Sequence, residues 1–189
     1  MIVSCAGSLA HFSYTRIPIN SNINKVIQVY IDQDFSTDDR LAIDNALNDW
    51  NYALNNYIHF QVVSIDFDMN PTDIKNITDD GGLGFLKIDS HSPFIPPSTT
   101  GRVLAFTDRI GGHFVFVIRD RLKSELLLED SVRHEIGHAL GSVHSVGDRS
   151  LMSPRISKDY DQCIDQETMI KVAYANGLDS SKLNYCVYE

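Results

Sequence analysis

The stretch His134-Glu135-Ile136-Gly137-His138-Ala139-Leu140-Gly141-Ser142-Val143-His144 determines how the rest of this chain is interpreted. It places three imidazoles and one carboxylate in the pattern H-E-x-x-H-x-x-G-x-x-H. Helical residues four apart differ by about 40° around the axis, so His134 and His138 share one face and can bind one ion. Glu135 is rotated off that face and can reach a water molecule bound to the ion.

Two further residues extend the pattern past the helix. Gly141 can adopt a left-handed conformation that ends the helix and turns the chain. His144 can then reach the same ion from a loop. A bare H-E-x-x-H also arises by chance as a polar helix face, but Gly141 and His144 at these offsets favour a metal site. Three protein ligands, His134, His138 and His144, are typical of one catalytic rather than structural zinc ion.

The same segment has an apolar side. The spacing predicts a helix over about residues 126–141 that buries a stripe opposite the ligand face. The stripe consists of Leu128, Val132, Ile136, Ala139 and Val143.

Composition limits the class of protein. The chain has 189 residues, 43% of them hydrophobic and 22% charged, which suits a single soluble domain with a sizeable core. A net charge of −9 argues against nucleic acid as a partner, because phosphate binding needs clustered Lys and Arg. No apolar run approaches the roughly 20 residues that a transmembrane helix needs. Cys163 and Cys186 flank the last predicted helix and either pair or remain free thiols.

The remaining elements follow from periodicity and turn residues. Ser36 with Asp39 predicts a helix N-cap with an acidic partner, followed by a helix whose apolar positions include Trp50. Residues 66–101 are rich in turn-forming residues and are predicted to be mainly loop. The predicted strands are 26–31, 58–65, 85–88, 102–106 and 114–118, and the predicted helices are 37–56, 126–141 and 165–176, the last ending at Gly177.

The extended motif resembles that of the metzincin clan of zinc endopeptidases. That clan has a methionine turn soon after the third histidine, and Ser150-Leu151-Met152-Ser153-Pro154 fits it. Within the clan, His144-Ser145, His138-Ala139-Leu140-Gly141 and the Leu151-Met152-x-Pro154 pattern are similar to the matrixins, the matrix metalloproteinases.

The resemblance implies an α/β fold of the α+β kind. It would comprise a twisted mixed sheet of about five strands with about three main helices. The single domain, 1–189, would divide into a larger subdomain (about 12–144) and a smaller one (about 145–189) with the active-site cleft between them. Gly141 and Met152 would support the metal site structurally.

The resemblance also implies a function. The chain would be a metalloendopeptidase, with Glu135 as general base and a protein or peptide as substrate. Val103, Leu104 and Ala105 would form an edge strand that binds substrate, although an interior strand is an equal alternative. Pro154, Arg155 and Ile156 would line the pocket for the residue after the cut. We expect a monomer that is secreted or at the cell surface by family analogy, although no signal peptide is visible in this chain.

One departure from the matrixins concerns metals. The family holds a structural zinc through histidines and an aspartate, but the H-x-D pattern is missing and Val115 occupies a ligand position. We therefore expect no structural zinc, and we place no calcium site. The other histidines, His11, His59, His91 and His113, are interpreted as ordinary surface or core residues. The alternative function is a non-catalytic binding module stabilised by zinc.

Overall fold

A computed structural model describes residues 12–67, 70–97, 103–147, 149–155 and 162–188. In this part of the chain, a five-stranded mixed sheet is accompanied by four α-helices and a separate two-stranded ribbon. The strands are β1 (Phe12–Tyr14), β2 (Val26–Asp32), β3 (His59–Phe67), β4 (Leu83–Ile88), β5 (Ala105–Thr107), β6 (Phe114–Ile118) and β7 (Cys186–Tyr188). The helices are α1 (Thr37–Leu54), α2 (Pro71–Asp79), α3 (Glu125–Ala139) and α4 (Gln166–Asn176). None of these helices has the length and apolar content to cross a membrane.

The strand order of the main sheet is β3-β2-β4-β6-β5. Neighbouring strands are parallel except for β5, which pairs antiparallel with β6. Among the described strands, β5 therefore lies at an edge, which decides between the edge and interior alternatives that the sequence analysis left equal. The strand is shifted relative to the predicted 102–106, since Val103 and Leu104 precede it.

Side chains alternate across the sheet and are buried on both faces. Phe85 of β4 and Val117 of β6 face a core that includes α1 and α3. Leu86 and Phe116, one residue along in each strand, face a smaller cluster on the other side with Ile77 of α2. Burial on both faces explains why these strands are almost continuously apolar rather than alternating.

Helix α1 forms as its sequence predicts. Ser36 and Asp39 form a reciprocal capping box at its start. Trp50 is completely buried, which confirms its assignment to the core. The helix ends at Leu54 because Asn55 takes a left-handed conformation, φ 50°. It is thus two residues shorter than predicted.

Helix α2 lies where the sequence predicted mainly loop. The Asn70 side chain caps its first turn by accepting from the amides of Thr72 and Asp73, both at 3.0 Å. Pro71 occupies a first-turn position, where its missing N–H costs nothing. The overall Gly, Pro, Asp and Ser content of 66–101 concealed this Asn-Pro start signal. Ile77 then anchors the helix under the sheet.

The C-terminal segment returns to the N-terminal one. Strand β7 pairs antiparallel with β1, and neither strand was predicted. Cys163 and Cys186 form a disulfide with Cα atoms 6.1 Å apart, which resolves the open question about their pairing. Beside it, the Cys186 amide donates to the Ile164 carbonyl at 2.9 Å. The disulfide therefore ties the last strand to the segment that leads into α4.

We expect the double variant Cys163→Ser/Cys186→Ser to be less stable than the parent. The bridge closes a loop with a sequence separation of 23 residues. Loss of that constraint on the unfolded chain costs roughly 3 kcal/mol. Urea denaturation measures the difference, with Cys5→Ser as the matched thiol control. A double variant with the parent's midpoint would contradict this role for the bridge.

Candidate metal centre

Helix α3 carries the first part of the motif. Ser124 caps it by accepting from the Leu127 amide at 3.2 Å. Leu128, Val132 and Ile136 follow at helical spacing and are fully buried in the core. Because this apolar side is anchored, the opposite side of the helix is held in one orientation.

Two details of the predicted helix are wrong. The helix ends at Ala139 rather than at residue 141, although Ala139 itself packs half-buried against the core as predicted. Val143 lies beyond the end and is 53% exposed, so it does not belong to the apolar stripe. The helical period stops applying where the chain leaves the helix axis.

The turn after α3 depends on Gly141, as predicted. Its φ is +92°, a conformation that L side chains rarely adopt. A Cβ at this position would also lie 2.7 Å from the Ala175 Cβ. The Ser142 amide donates back to the Gly137 carbonyl at 2.9 Å and closes the helix end. The chain then runs toward the ligand face of α3.

The three predicted ligands come together. The Nε2 atoms of His134 and His138 are 3.1 Å apart, those of His138 and His144 are 3.1 Å apart, and those of His134 and His144 are 3.3 Å apart. Within the described residues, this is the only group of three or more His, Cys, Asp or Glu side chains that lie close enough together to hold a metal ion. His134 and His138 are buried, and His144 is exposed.

Backbone carbonyls determine which ring nitrogen carries the proton. His134 Nδ1 lies 2.7 Å from the Leu151 carbonyl, and His138 Nδ1 lies 2.8 Å from the Ser142 carbonyl. A carbonyl oxygen can only accept, so both Nδ1 atoms donate. In the neutral ring, each Nε2 then has a free lone pair, as a metal ligand requires.

The spacing of the nitrogens fits a small metal ion. Metal–nitrogen bonds of about 2.0–2.1 Å at tetrahedral angles separate ligand nitrogens by about 3.3 Å. The observed separations are 3.1–3.3 Å. Without a cation, lone pairs facing one another at this distance repel. The donor set and its geometry therefore fit a metal centre.

Burial keeps these imidazoles neutral. It lowers the pKa of His134 to about 3, with a further contribution from the neighbouring His138. Burial also lowers the pKa of His138. The pKa of the exposed His144 is lowered by partial desolvation of its ring and by the Lys171 charge. Neutral imidazole is the form that binds metal, so the protein environment favours binding at neutral pH.

Glu135 lies in a similarly dry environment. Burial raises its pKa to about 7, although hydrogen bonding from Thr107 opposes the shift. The Thr107 Oγ1 lies 2.7 Å from Glu135 Oε2 and 3.1 Å from the Glu135 carbonyl oxygen. No local sequence motif marks this contact, because 28 residues separate the two partners.

Met152 lies under α3, the helix that carries His134 and His138. It is completely buried, and a Cβ added at Gly137 would lie 2.5 Å from its Sδ. Gly137 therefore lets Met152 approach α3 closely, a role that was not predicted from the sequence. The Ser145 amide donates to the Met152 carbonyl at 2.8 Å, which ties the loop after His144 to the same turn.

Asp165, the N-cap of α4, holds the methionine turn. Its carboxylate accepts from the Leu151 amide and from the Ser150 hydroxyl, both at 2.8 Å. The Leu151 carbonyl is the acceptor for His134 Nδ1, so Asp165 orients that ligand through the turn. Sequence indicated Asp165 only at the helix boundary and not this contact.

Lys171 of α4 holds the loop that carries the third ligand. Its Nζ donates to the His144 carbonyl at 3.2 Å and to the Ser145 hydroxyl at 2.8 Å. It also pairs with Glu167, 2.8 Å away, which in turn accepts from the Ser145 hydroxyl at 2.9 Å. These contacts attach the His144 loop to α4, whose buried face is part of the core.

The predicted substrate strand presents only some of its backbone. The Leu104 carbonyl and the Asp108 amide bond across to β6, at 2.9 and 3.0 Å. Because backbone direction alternates along a strand, Ala105 and Thr107 direct theirs away from β6. The Val103 carbonyl already accepts from a side chain, at 2.8 Å. In the described part of the chain, the backbone groups that face away from β6 are therefore centred on 105–107 rather than on 103–105.

The remaining predicted site residues lie after the methionine turn. Pro154 and Arg155 are exposed there, and Ile156 falls outside the described residues.

Elsewhere, His113 Nδ1 lies 2.8 Å from the Gly82 carbonyl. The glycine turn after β5 contacts the ligand helix directly, since the Gly111 amide donates to the His138 carbonyl at 2.8 Å.

No protein-family model matches this chain, and no curated protein shows significant similarity to it.

We expect Lys171→Met to weaken metal binding. The substitution removes the donor that fixes the His144 loop, and the loss of such an outer contact typically costs about 10- to 100-fold in affinity. Competition with a chromophoric chelator measures the dissociation constant for Zn²⁺. Lys182→Met, the same change at an exposed lysine, is the control and should bind like the parent. Equal affinity of the two variants would show that the loop needs no tether.

We expect Glu135→Gln to stabilise the metal-free protein at high pH. Glu135 has a pKa raised from 4.5 to about 7. Between pH 4.5 and about pH 7, the Glu135 carboxyl is deprotonated in the unfolded chain but still protonated in the folded one. The free energy of unfolding therefore falls as the pH rises. The variant lacks this loss and should gain up to about 3 kcal/mol on the parent by pH 8.

Urea denaturation in chelator at pH 5 and pH 8 measures this gain. Glu125→Gln, at the exposed start of the same helix, is the control. A Glu135→Gln advantage that does not change with pH would show that the buried carboxyl is not the cause.

Proposed function

We propose that the chain is a zinc-dependent endopeptidase that cleaves protein or peptide substrates, with a metzincin-like domain closest to the matrixins. The observation that carries the proposal is the convergence of three imidazole Nε2 atoms beside a buried carboxyl group on the same helix. A structural centre needs no adjacent base held in a dry environment, whereas hydrolysis does.

Zinc is the ion that best suits this donor set. Three neutral imidazoles at near-tetrahedral spacing match the ligand number and geometry of catalytic zinc. Copper(II) and nickel(II) favour tetragonal arrangements, and magnesium and calcium favour oxygen ligands. A bound zinc ion would polarise the substrate carbonyl and acidify a water ligand toward a pKa of about 7.

The outer edge of β5 offers a place for an extended substrate. Ala105 and Thr107 direct N–H and C=O groups away from β6, and a peptide can pair with such groups as an added strand. Thr107 also contacts Glu135, so this edge and the base are neighbours. A peptide paired with β5 would therefore run past Glu135.

Glu135 handles the proton in this proposal. Its carboxylate takes a proton from the attacking water and passes it to the leaving amine nitrogen as the C–N bond breaks. Burial raises the pKa of this carboxyl in the metal-free protein, and a bound cation would favour the carboxylate form that accepts the proton.

We also propose a secreted or cell-surface location. The Cys163–Cys186 disulfide supports it, because such bonds form and persist mainly in oxidising compartments.

Hydrolysis of a broad fluorogenic peptide library tests the proposal. The zinc-loaded parent should cleave, and a chelator should stop cleavage. Glu135→Gln should lower kcat by about 10²- to 10⁴-fold while still binding zinc, because it keeps the shape of the side chain but cannot accept a proton. Glu125→Gln should cleave at the parent's rate.

Two outcomes would contradict the proposal. If Glu135→Gln cleaves as fast as the parent, the mechanism is wrong. If the zinc-loaded parent cleaves nothing and zinc only raises its Tm, the alternative of a non-catalytic zinc-stabilised module holds.

A further inference from the structure

Thr107 lies where β5, the proposed substrate-binding strand, meets α3, the helix that carries His134 and His138. It is the last residue of β5, and its side chain is on the same face of the strand as Ala105, toward α3. Phe106, between them, points to the opposite face and stacks on Phe116 with ring centroids 4.9 Å apart. This alternation aims the Thr107 hydroxyl at α3.

The hydroxyl makes its closer contact with the carboxylate. Its Oγ1 lies 2.7 Å from Glu135 Oε2 and 3.1 Å from the Glu135 carbonyl. A hydroxyl has one hydrogen to donate, and a carboxylate is a stronger acceptor than an amide carbonyl. The carboxylate is therefore the main acceptor, and Oε2 is occupied while Oε1 remains for other partners.

We infer that Thr107 is a positioning residue that aligns Glu135 with the scissile bond of a peptide paired on β5. The inference rests on the proposed endopeptidase function. One residue would bind substrate through its backbone and orient the base through its side chain. Any shift of the docked peptide with β5 would then be matched by a shift of the carboxylate.

A purely structural role makes a different prediction. If the hydroxyl only tethers the strand to the helix, its loss would disturb β5 and with it substrate affinity. If it orients the base, the loss would appear in kcat, because the carboxylate is used in the chemical step. Metal affinity should not change in the second case, since the ligands and their carbonyl partners do not involve Thr107.

The test compares Thr107→Val with Thr107→Ser in the zinc-loaded full chain. Valine keeps the branched shape and removes the donor, whereas serine keeps the donor. We expect Thr107→Val to lower kcat about 10- to 100-fold, the usual effect of one hydrogen bond to a charged group. KM and the dissociation constant for Zn²⁺ should stay near the parent's values, and Thr107→Ser should recover most of kcat.

Thr78→Val is the matched control. The Thr78 hydroxyl donates to the Ile74 backbone carbonyl at 2.9 Å. It lies on the exposed side of α2, across the sheet from Glu135. Crystal structures of the two Thr107 variants supply a readout apart from activity. The Glu135 carboxylate should be displaced in Thr107→Val and in place in Thr107→Ser.

The outcomes separate this inference from the function beneath it. An active parent whose Thr107→Val variant keeps its kcat, or loses activity through KM alone with the carboxylate unmoved, would overturn the inference and leave the endopeptidase proposal intact. An inactive zinc-loaded parent would overturn the proposed function, and the inference would fall with it.

Discussion

The Nε2 atoms of His134 and His138 carry free lone pairs 3.1 Å apart, and these repel one another unless a cation lies between them. The chain maintains this arrangement because His134 and His138 each donate their other ring proton to a backbone carbonyl. Those carbonyls belong to Leu151 and Ser142, on segments that follow the helix. The centre is therefore built from a rigid helix and from turns that other elements hold in place.

The same burial acts in opposite directions on the two kinds of titratable group. Desolvation disfavours charge, so it lowers the pKa of His134 and raises that of Glu135. Both groups are thereby shifted toward their neutral forms. A bound cation would favour the charged form of Glu135. It would require the neutral form of the imidazoles, because only that form binds metal. A dry site of this kind is costly for the metal-free protein and useful for the proposed chemistry.

The elements that the sequence predicted correctly depend on short-range physics. The capping box of Ser36 and Asp39, the positive φ of Gly141 and the buried side of α3 all involve residues within a few positions of one another. Helix α2 was missed although its Asn70-Pro71 start was visible, because the composition of the surrounding stretch outweighed one local signal. Strands β1 and β7 were missed because each is three residues long and is stabilised by a partner at the other end of the chain.

By itself, the sequence determined which three histidines are the candidate ligands and which glutamate is the proposed base, since an α-helix with a glycine turn brings residues at these spacings together. It also determined which side of α3 is buried. Only the tertiary structure decided what holds those residues: Thr107 on Glu135, Asp165 on the methionine turn and Lys171 on the His144 loop. Each of these contacts joins segments that are 14 or more residues apart. No periodicity encodes such pairs, because they arise only when the sheet and helices have packed.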